Sequence, residues 1–181
     1  MKLLGEQIYL RLYKTSDARE LVSLHIRNRE FFQRVCPSIP EIFYTEEYQK
    51  TRLERALKMA EEGQLYAFGI FLKATDKLIG DISLTQIVRG DMQSCYTGFT
   101  LDKEYNGKGY TTEALQLVVD FAFRELKLHR IEAGAMTDNI ASIRVLEKAG
   151  FEKEGIAKEN LRINGKWTDH QILAIINKLD V

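Results

Sequence analysis

A chain of 181 residues is long enough for one domain with a substantial core and short for two. With 45% apolar and 29% charged residues it has the balance of a folded globule, which excludes a disordered chain. Its 26 basic and 26 acidic residues cancel, which argues against nucleic acid as a direct partner through bulk electrostatics. The opening segment is broken by Glu6, Gln7 and Arg11, so it reads as neither signal peptide nor membrane span. Cys36 and Cys95 show no metal-type spacing and fit thiols of a reducing compartment. A cytoplasmic protein without a metal or a membrane partner is expected.

Ile8, Leu10 and Leu12 alternate with Tyr9 and Arg11, which predicts a first strand. Ser16 or Asp17 can cap a helix through Leu21, Leu24 and His25 to about Asn28. Residues 31–44 hold both prolines, Pro37 and Pro40, and read as irregular. Thr45, with Glu46 and Glu47, opens a second helix that ends near Gly63. Residues 65–72 and 78–88 form a strand pair across Thr75, Asp76 and Lys77, and Gly90-Asp91 turns the chain into a strand at 94–101. Leu115, Val118, Val119, Ala122 and Leu126 then recur at helical spacing. Residues 130–136 return as a strand, and a short helix runs from about Asn139 to Ala149, closed by Gly150 in a left-handed conformation. Strands at 154–163 and 166–177 flank Asn164-Gly165, a strong hairpin signal. The sum is an α+β (α/β layered) domain over 1–181: a mixed sheet of about seven strands with helices on both faces. The terminal hairpin leaves a sheet edge on which a second copy could pair, so a homodimer is one option.

The most informative segment is 101–114, LDKEYNGKGYTTEA, where Gly107 and Gly109 stand between a strand and a helix. Glycines there let the backbone turn tightly and approach a ligand, and the helix start presents N–H groups without intrahelical partners to an anion. A Walker loop is excluded because Gly109 and Tyr110 follow Lys108, and the dinucleotide fingerprint because Thr112 stands where it needs glycine. The remaining pattern, Asn106 to Thr111, resembles the Gln/Arg-x-x-Gly-x-Gly/Ala acetyl-CoA pyrophosphate loop of the GNAT N-acetyltransferase superfamily. Asn106 departs from it at the Gln/Arg position and Thr111 at the small-residue position; both keep the backbone donors. A second segment, TDNIASIRVLEKAGFEKEG from Thr137 to Gly155, is similar to the Asn-x-x-Ser…Glu-Lys-x-Gly-Phe stretch of the branch containing ribosomal-protein alanine and serine N-acetyltransferases. Read without the resemblance, it is a capped helix with Asn139 as N-cap and Phe151 in the core.

The resemblance implies a GNAT-like sheet in which the strand at 94–101 splays from the one at 130–136, with the pantetheine arm of acetyl-CoA in the gap. Main-chain groups of Phe99, Thr100 and Leu101 would pair with the pantetheine. N–H groups of Asn106, Gly107, Lys108, Gly109, Tyr110, Thr111 and Thr112 would hold the pyrophosphate, the Lys108 side chain being an outer contact or a solvated lysine. Asn139 would help fix the pantetheine, and Ser142 would protonate the leaving thiolate. A tyrosine used by many relatives is replaced here by Leu146, and a glutamate used by some ribosomal-protein enzymes by Leu161. The base is left among Glu159, Glu132, Asp169, His170, Glu30 and a water relay. Glu30, Phe31, Phe32 and Tyr44 are expected around the acceptor cleft. The acceptor is a primary amine, first a protein N-terminus such as that of a ribosomal protein. A small amine (polyamine, amino acid or antibiotic) and a non-catalytic CoA-binding sensor are the alternatives.

Overall fold

The computed structural model describes residues 1–178. The alternation of the first half becomes an antiparallel run in which β1 (Lys2–Leu4), β2 (Ile8–Leu12), β3 (Tyr66–Leu72), β4 (Leu78–Val88) and β5 (Ser94–Leu101) pair in sequence order. β6 (Arg130–Met136) joins β5 in parallel, and the hairpin of β7 (Glu152–Ile163) and β8 (Lys166–Ile176) docks with β8 inside. The order is therefore β1-β2-β3-β4-β5-β6-β8-β7, eight strands among the described residues against the seven expected. The additional strand, Lys2–Leu4, has only three residues, too few to show a period, and is recruited by pairing Leu3 with Leu10. Asn164 and Gly165 both take positive φ (49° and 78°) at the β7–β8 turn, as an Asn-Gly hairpin requires.

Among the described residues five α-helices flank the sheet: α1 (Ala18–Arg27), α2 (Arg29–Gln33), α3 (Glu46–Glu61), α4 (Tyr110–Arg124) and α5 (Ile140–Lys148). The five-residue α2 falls in the stretch expected to be irregular, where it is too short for a periodic signal. Thr45 caps α3 as expected, its hydroxyl accepting the Tyr48 N–H at 3.4 Å. Asp17 does not cap α1 with its side chain; the carboxylate accepts from both Arg11 guanidinium nitrogens (2.6 and 2.8 Å) and from the Lys14 N–H (2.7 Å). Because strand neighbours point to opposite faces, Leu10 and Tyr9 enter different cores. Leu10, Phe68, Ile82 and Leu173 pack with Leu115, Val118 and Ala122 of α4 and Ile143 and Leu146 of α5. Tyr9, Phe71 and Leu78 pack with Leu21 and Leu24 of α1 and Leu53 of α3.

Two features of this sheet position the site. First, the parallel β5–β6 pairing covers only Ser94 to Tyr96 against Arg130 to Glu132. Beyond it β5 follows β4 to Leu101, whereas β6 follows β8 to Met136, so the two strands diverge. Second, Asp102 at the end of β5 is 1% exposed and accepts from Arg27 Nε at 2.6 Å, while Asn28 Oδ1 accepts the Lys103 N–H at 3.0 Å. These bonds tie α1 to the segment that leads into the glycine loop. Burial raises the Asp102 carboxyl, but Arg27 and the Glu104 N–H outweigh it and hold the group below its ordinary value. A depressed folded-state value stabilises above the unfolded value of about 3.9 and is lost as pH falls through the folded one. Asp102→Ala is expected to cost about 2 kcal/mol at pH 7, discounted from a fully buried pair because Arg27 is partly solvated. Urea melts at pH 7 and pH 3 check this: the difference between variant and parent should shrink at the lower pH.

Candidate active site

The glycine loop folds as a launching point for α4. Gly107 and Gly109 adopt φ of 77° and 85°, and a Cβ on either would meet nothing within 4 Å, so the space before them is free for a ligand. The first bond of α4 runs from the Glu113 N–H to the Gly109 carbonyl (3.0 Å). The amides of Tyr110, Thr111 and Thr112 therefore start the helix without intrahelical acceptors, at the positive end of its dipole.

These groups open on a cavity of about 540 Å³ at the mouth of the β5–β6 divergence. Phe99, Thr100 and Leu101 line it from β5; Asn106, Gly107, Gly109, Tyr110, Thr111 and Thr112 from the loop and α4; Asn139 and Ser142 from α5; and Phe31 and Phe32 from α2. The Asn139 side chain caps α5 by accepting the Ser142 N–H at 3.2 Å, which fixes the Asn139 amide against the first turn of the helix that carries Ser142. Leu146 is 1% exposed and packs in the core beneath α5.

Three residues expected at the site are not part of the cavity lining. Lys108 points its ammonium toward the Tyr105 ring, 5.2 Å from the centroid. Tyr44, in the turn Glu41–Tyr44, lies under the Arg29 guanidinium at 4.5 Å, and Glu30 is exposed on α2, whose Phe31 and Phe32 line the cavity instead. The lining also includes residues that sequence reasoning missed: Arg34, Val35 and Cys36 after α2, Tyr105 before the loop, and Ala141, Arg144, Val145 and Lys148 along α5. The last four recur at helical spacing on one face, a signal that could have been read. Arg34, Arg144 and Lys148 make the lining positive, and it contains no carboxylate, so it favours a ligand bearing several negative charges.

None of the five side chains considered as a base lines this cavity. Glu132 bonds Arg130 at 2.9 Å beside Tyr96, whose hydroxyl burial and Glu132 together push up. Glu159 is exposed in a bulge of β7 with φ 46°. Lys158, at 2.8 Å, holds Asp169 below the usual carboxylate range. His170 is buried, with Nδ1 3.2 Å from the Thr168 carbonyl. Glu30 is in solvent. Among the described residues there is no cluster of His, Cys, Asp or Glu able to hold a metal, and no helix long and apolar enough to cross a membrane.

The chain resembles known proteins over nearly its whole length. Residues 7–152 match the family model described as an acetyltransferase (GNAT) domain. The probable N-acetyltransferase YjcK of Bacillus subtilis is 51% identical over 98% of both chains. The [ribosomal protein uS5]-alanine N-acetyltransferase of Escherichia coli is 31% identical over 97% of this chain and 90% of its own. The crystal structure of a ribosomal-protein-S5-alanine acetyltransferase from Vibrio fischeri superposes with a TM-score of 0.94 at 34% identity, covering 98% of this chain and 97% of that one.

Proposed function

The chain belongs to the GNAT acetyltransferase family, and we propose that it moves an acetyl group from acetyl-CoA to a protein N-terminal amine such as that of a ribosomal protein. The observation that carries this reading is the positive, carboxylate-free cavity joining a free helix N-terminus to the gap between β5 and β6. A phosphate-rich coenzyme with a long thioester arm fits that combination of charge and shape. The loop and helix amides from Gly107 to Thr112 take the pyrophosphate. Arg34, Arg144 and Lys148 supply the surrounding positive charge. The edge of β5 released by the divergence, Phe99 to Leu101, pairs with the pantetheine amides as an added strand would. The Asn139 amide group steadies the arm near its thioester.

The chemistry is acyl transfer. The amine nitrogen, once neutral, bonds to the thioester carbonyl carbon; the C–S bond breaks, and the thiolate takes a proton to leave as a thiol. Negative charge on the carbonyl oxygen at the intermediate stage needs donors, which β5 amides freed by the divergence can provide. Ser142 stands on the coenzyme side and gives its hydroxyl proton to the leaving sulfur, recovering one from the proton the amine has lost. The protein is read as a cytoplasmic enzyme of one domain.

The test is coenzyme A release, followed with a thiol-reactive dye, against peptides with free N-termini, including those of ribosomal proteins, and against polyamines, amino acids and aminoglycosides. Release that depends on a peptide, with a gain of about 42 Da on its N-terminal amine (an acetyl group in place of one hydrogen), is the expected result. Release with small amines alone would move the acceptor to that class. Saturable coenzyme binding without release from any acceptor would leave a sensor.

A further inference from the structure

On the face of the sheet covered by α1 and α3, a polar pair adjoins Thr100 of the cavity lining. His25 on α1 is 6% exposed, and neither ring nitrogen makes a hydrogen bond among the described residues. Phe32 and Phe43 close on it edge to face, at 5.5 and 4.9 Å between ring centres. Its Nε2 stands 3.6 Å from Oδ2 of Asp81, whose side chain keeps 26% of its exposure. The other Asp81 oxygen accepts the Thr100 hydroxyl at 3.0 Å. Asp81 pairs with Thr100 across β4 and β5, so both project to one face, opposite to Phe99 and Leu101. Thr100, Phe32 and Cys36 line the cavity, and the Asp81 charge reaches the Cys36 thiol. The lining has no carboxylate of its own, and Asp81 adjoins it through the hydroxyl of Thr100. Burying an imidazole whose nitrogens make no hydrogen bond is unfavourable, a penalty that an apolar residue there would avoid.

Building on the acetyl-transfer reading, we propose that Asp81 and His25 together receive the acceptor's ammonium and remove its proton. The N–H bond of the ammonium breaks, its proton passes to the Asp81 carboxylate and on to His25 Nε2, and the electron pair stays on nitrogen to attack the thioester. The resulting imidazolium faces a carboxylate, and imidazole is the usual side-chain proton carrier near neutral pH. An α-amine, with an ordinary pKa of about 7.7–8.0, gives up its proton near neutral pH far more readily than a lysine amine at about 10.4. The other titratable or charged groups around it are Tyr13 after β2 and Cys36 after α2, both of which the Asp81 charge reaches, together with Arg52 on α3 and the Arg11–Asp17 pair, whose charges reach the same Tyr13 hydroxyl. Burial pushes the Tyr13 hydroxyl well up and the Cys36 thiol up to about 11, so neither changes charge in the range where an α-amine titrates.

The experiment compares the parent with Asp81→Asn and His25→Gln in kcat and KM for a peptide with a free N-terminus from pH 6 to pH 10, with coenzyme A binding measured by calorimetry. Coenzyme affinity should be unchanged, and kcat/KM at pH 7 should fall about 100-fold, the loss shrinking as rising pH deprotonates the amine unaided. Full activity of Asp81→Asn at pH 7, or a loss of equal size at every pH, overturns the assignment. Asp81→Asn carries the test alone if the buried His25→Gln fails to fold, since Asp81 is partly solvated. A parent that binds coenzyme A but turns over no amine removes acetyl transfer itself, and this role with it; a pH-independent loss removes only the role.

Discussion

Replacing Gly109 with aspartate is expected to weaken coenzyme A binding about 100-fold. Gly109 sits immediately before α4 with φ 85°, and the direction its Cβ would take is empty of protein. A carboxylate there occupies the volume assigned to the pyrophosphate and presents like charge to it. Charge-assisted hydrogen bonds contribute roughly 1.5–3 kcal/mol each, so losing one or two of them corresponds to about two orders of magnitude in Kd. Aspartate is chosen because it is among the few side-chain-bearing residues that tolerate the left-handed region, which keeps the folding cost small. Calorimetric titration with coenzyme A, beside a thermal melt of the free variant, separates the two effects. A variant with native melting and native affinity would show that the loop does not hold the coenzyme.

Ser142→Ala is expected to lower kcat about 100-fold while leaving coenzyme affinity within a few fold, the range a general acid ordinarily contributes. Ser142 occupies the first turn of α5 with its N–H bonded to Asn139, and alanine is a better helix former than serine, so the substitution leaves that turn intact. No hydroxyl is available from the residue one turn further on, because Leu146 is core. Single-turnover measurement of peptide acetylation at saturating acetyl-CoA gives the rate directly. Undiminished turnover would exclude Ser142 as the proton donor.

Much of the fold could be read from short-range pattern. Strand alternation, the helix start at Thr45, the glycine pair at 107 and 109, the Asn139 cap and the Asn164-Gly165 turn are all encoded within a few residues, where dihedral preference and local hydrogen bonding act. The family followed from two of these motifs in their chain order. Lys2–Leu4 and α2 escaped because three and five residues are less than any period needs.

Other features came only with the folded chain. The gap between β5 and β6 exists because β5 keeps pairing with β4 while β6 keeps pairing with β8, a competition between segments far apart in sequence. A net charge of zero hid the positive cavity, since Arg34 follows α2 while Arg144 and Lys148 sit on α5, far along the chain, and a sum is blind to position. The meeting of His25 with Asp81 leaves no trace in either segment: α1 displays an ordinary buried helical face, and β4 an ordinary alternating strand. Local sequence sets backbone conformation because its forces act over one turn or one strand pair. Proximity between distant side chains is set by packing helices across a sheet, and that required the whole chain in three dimensions.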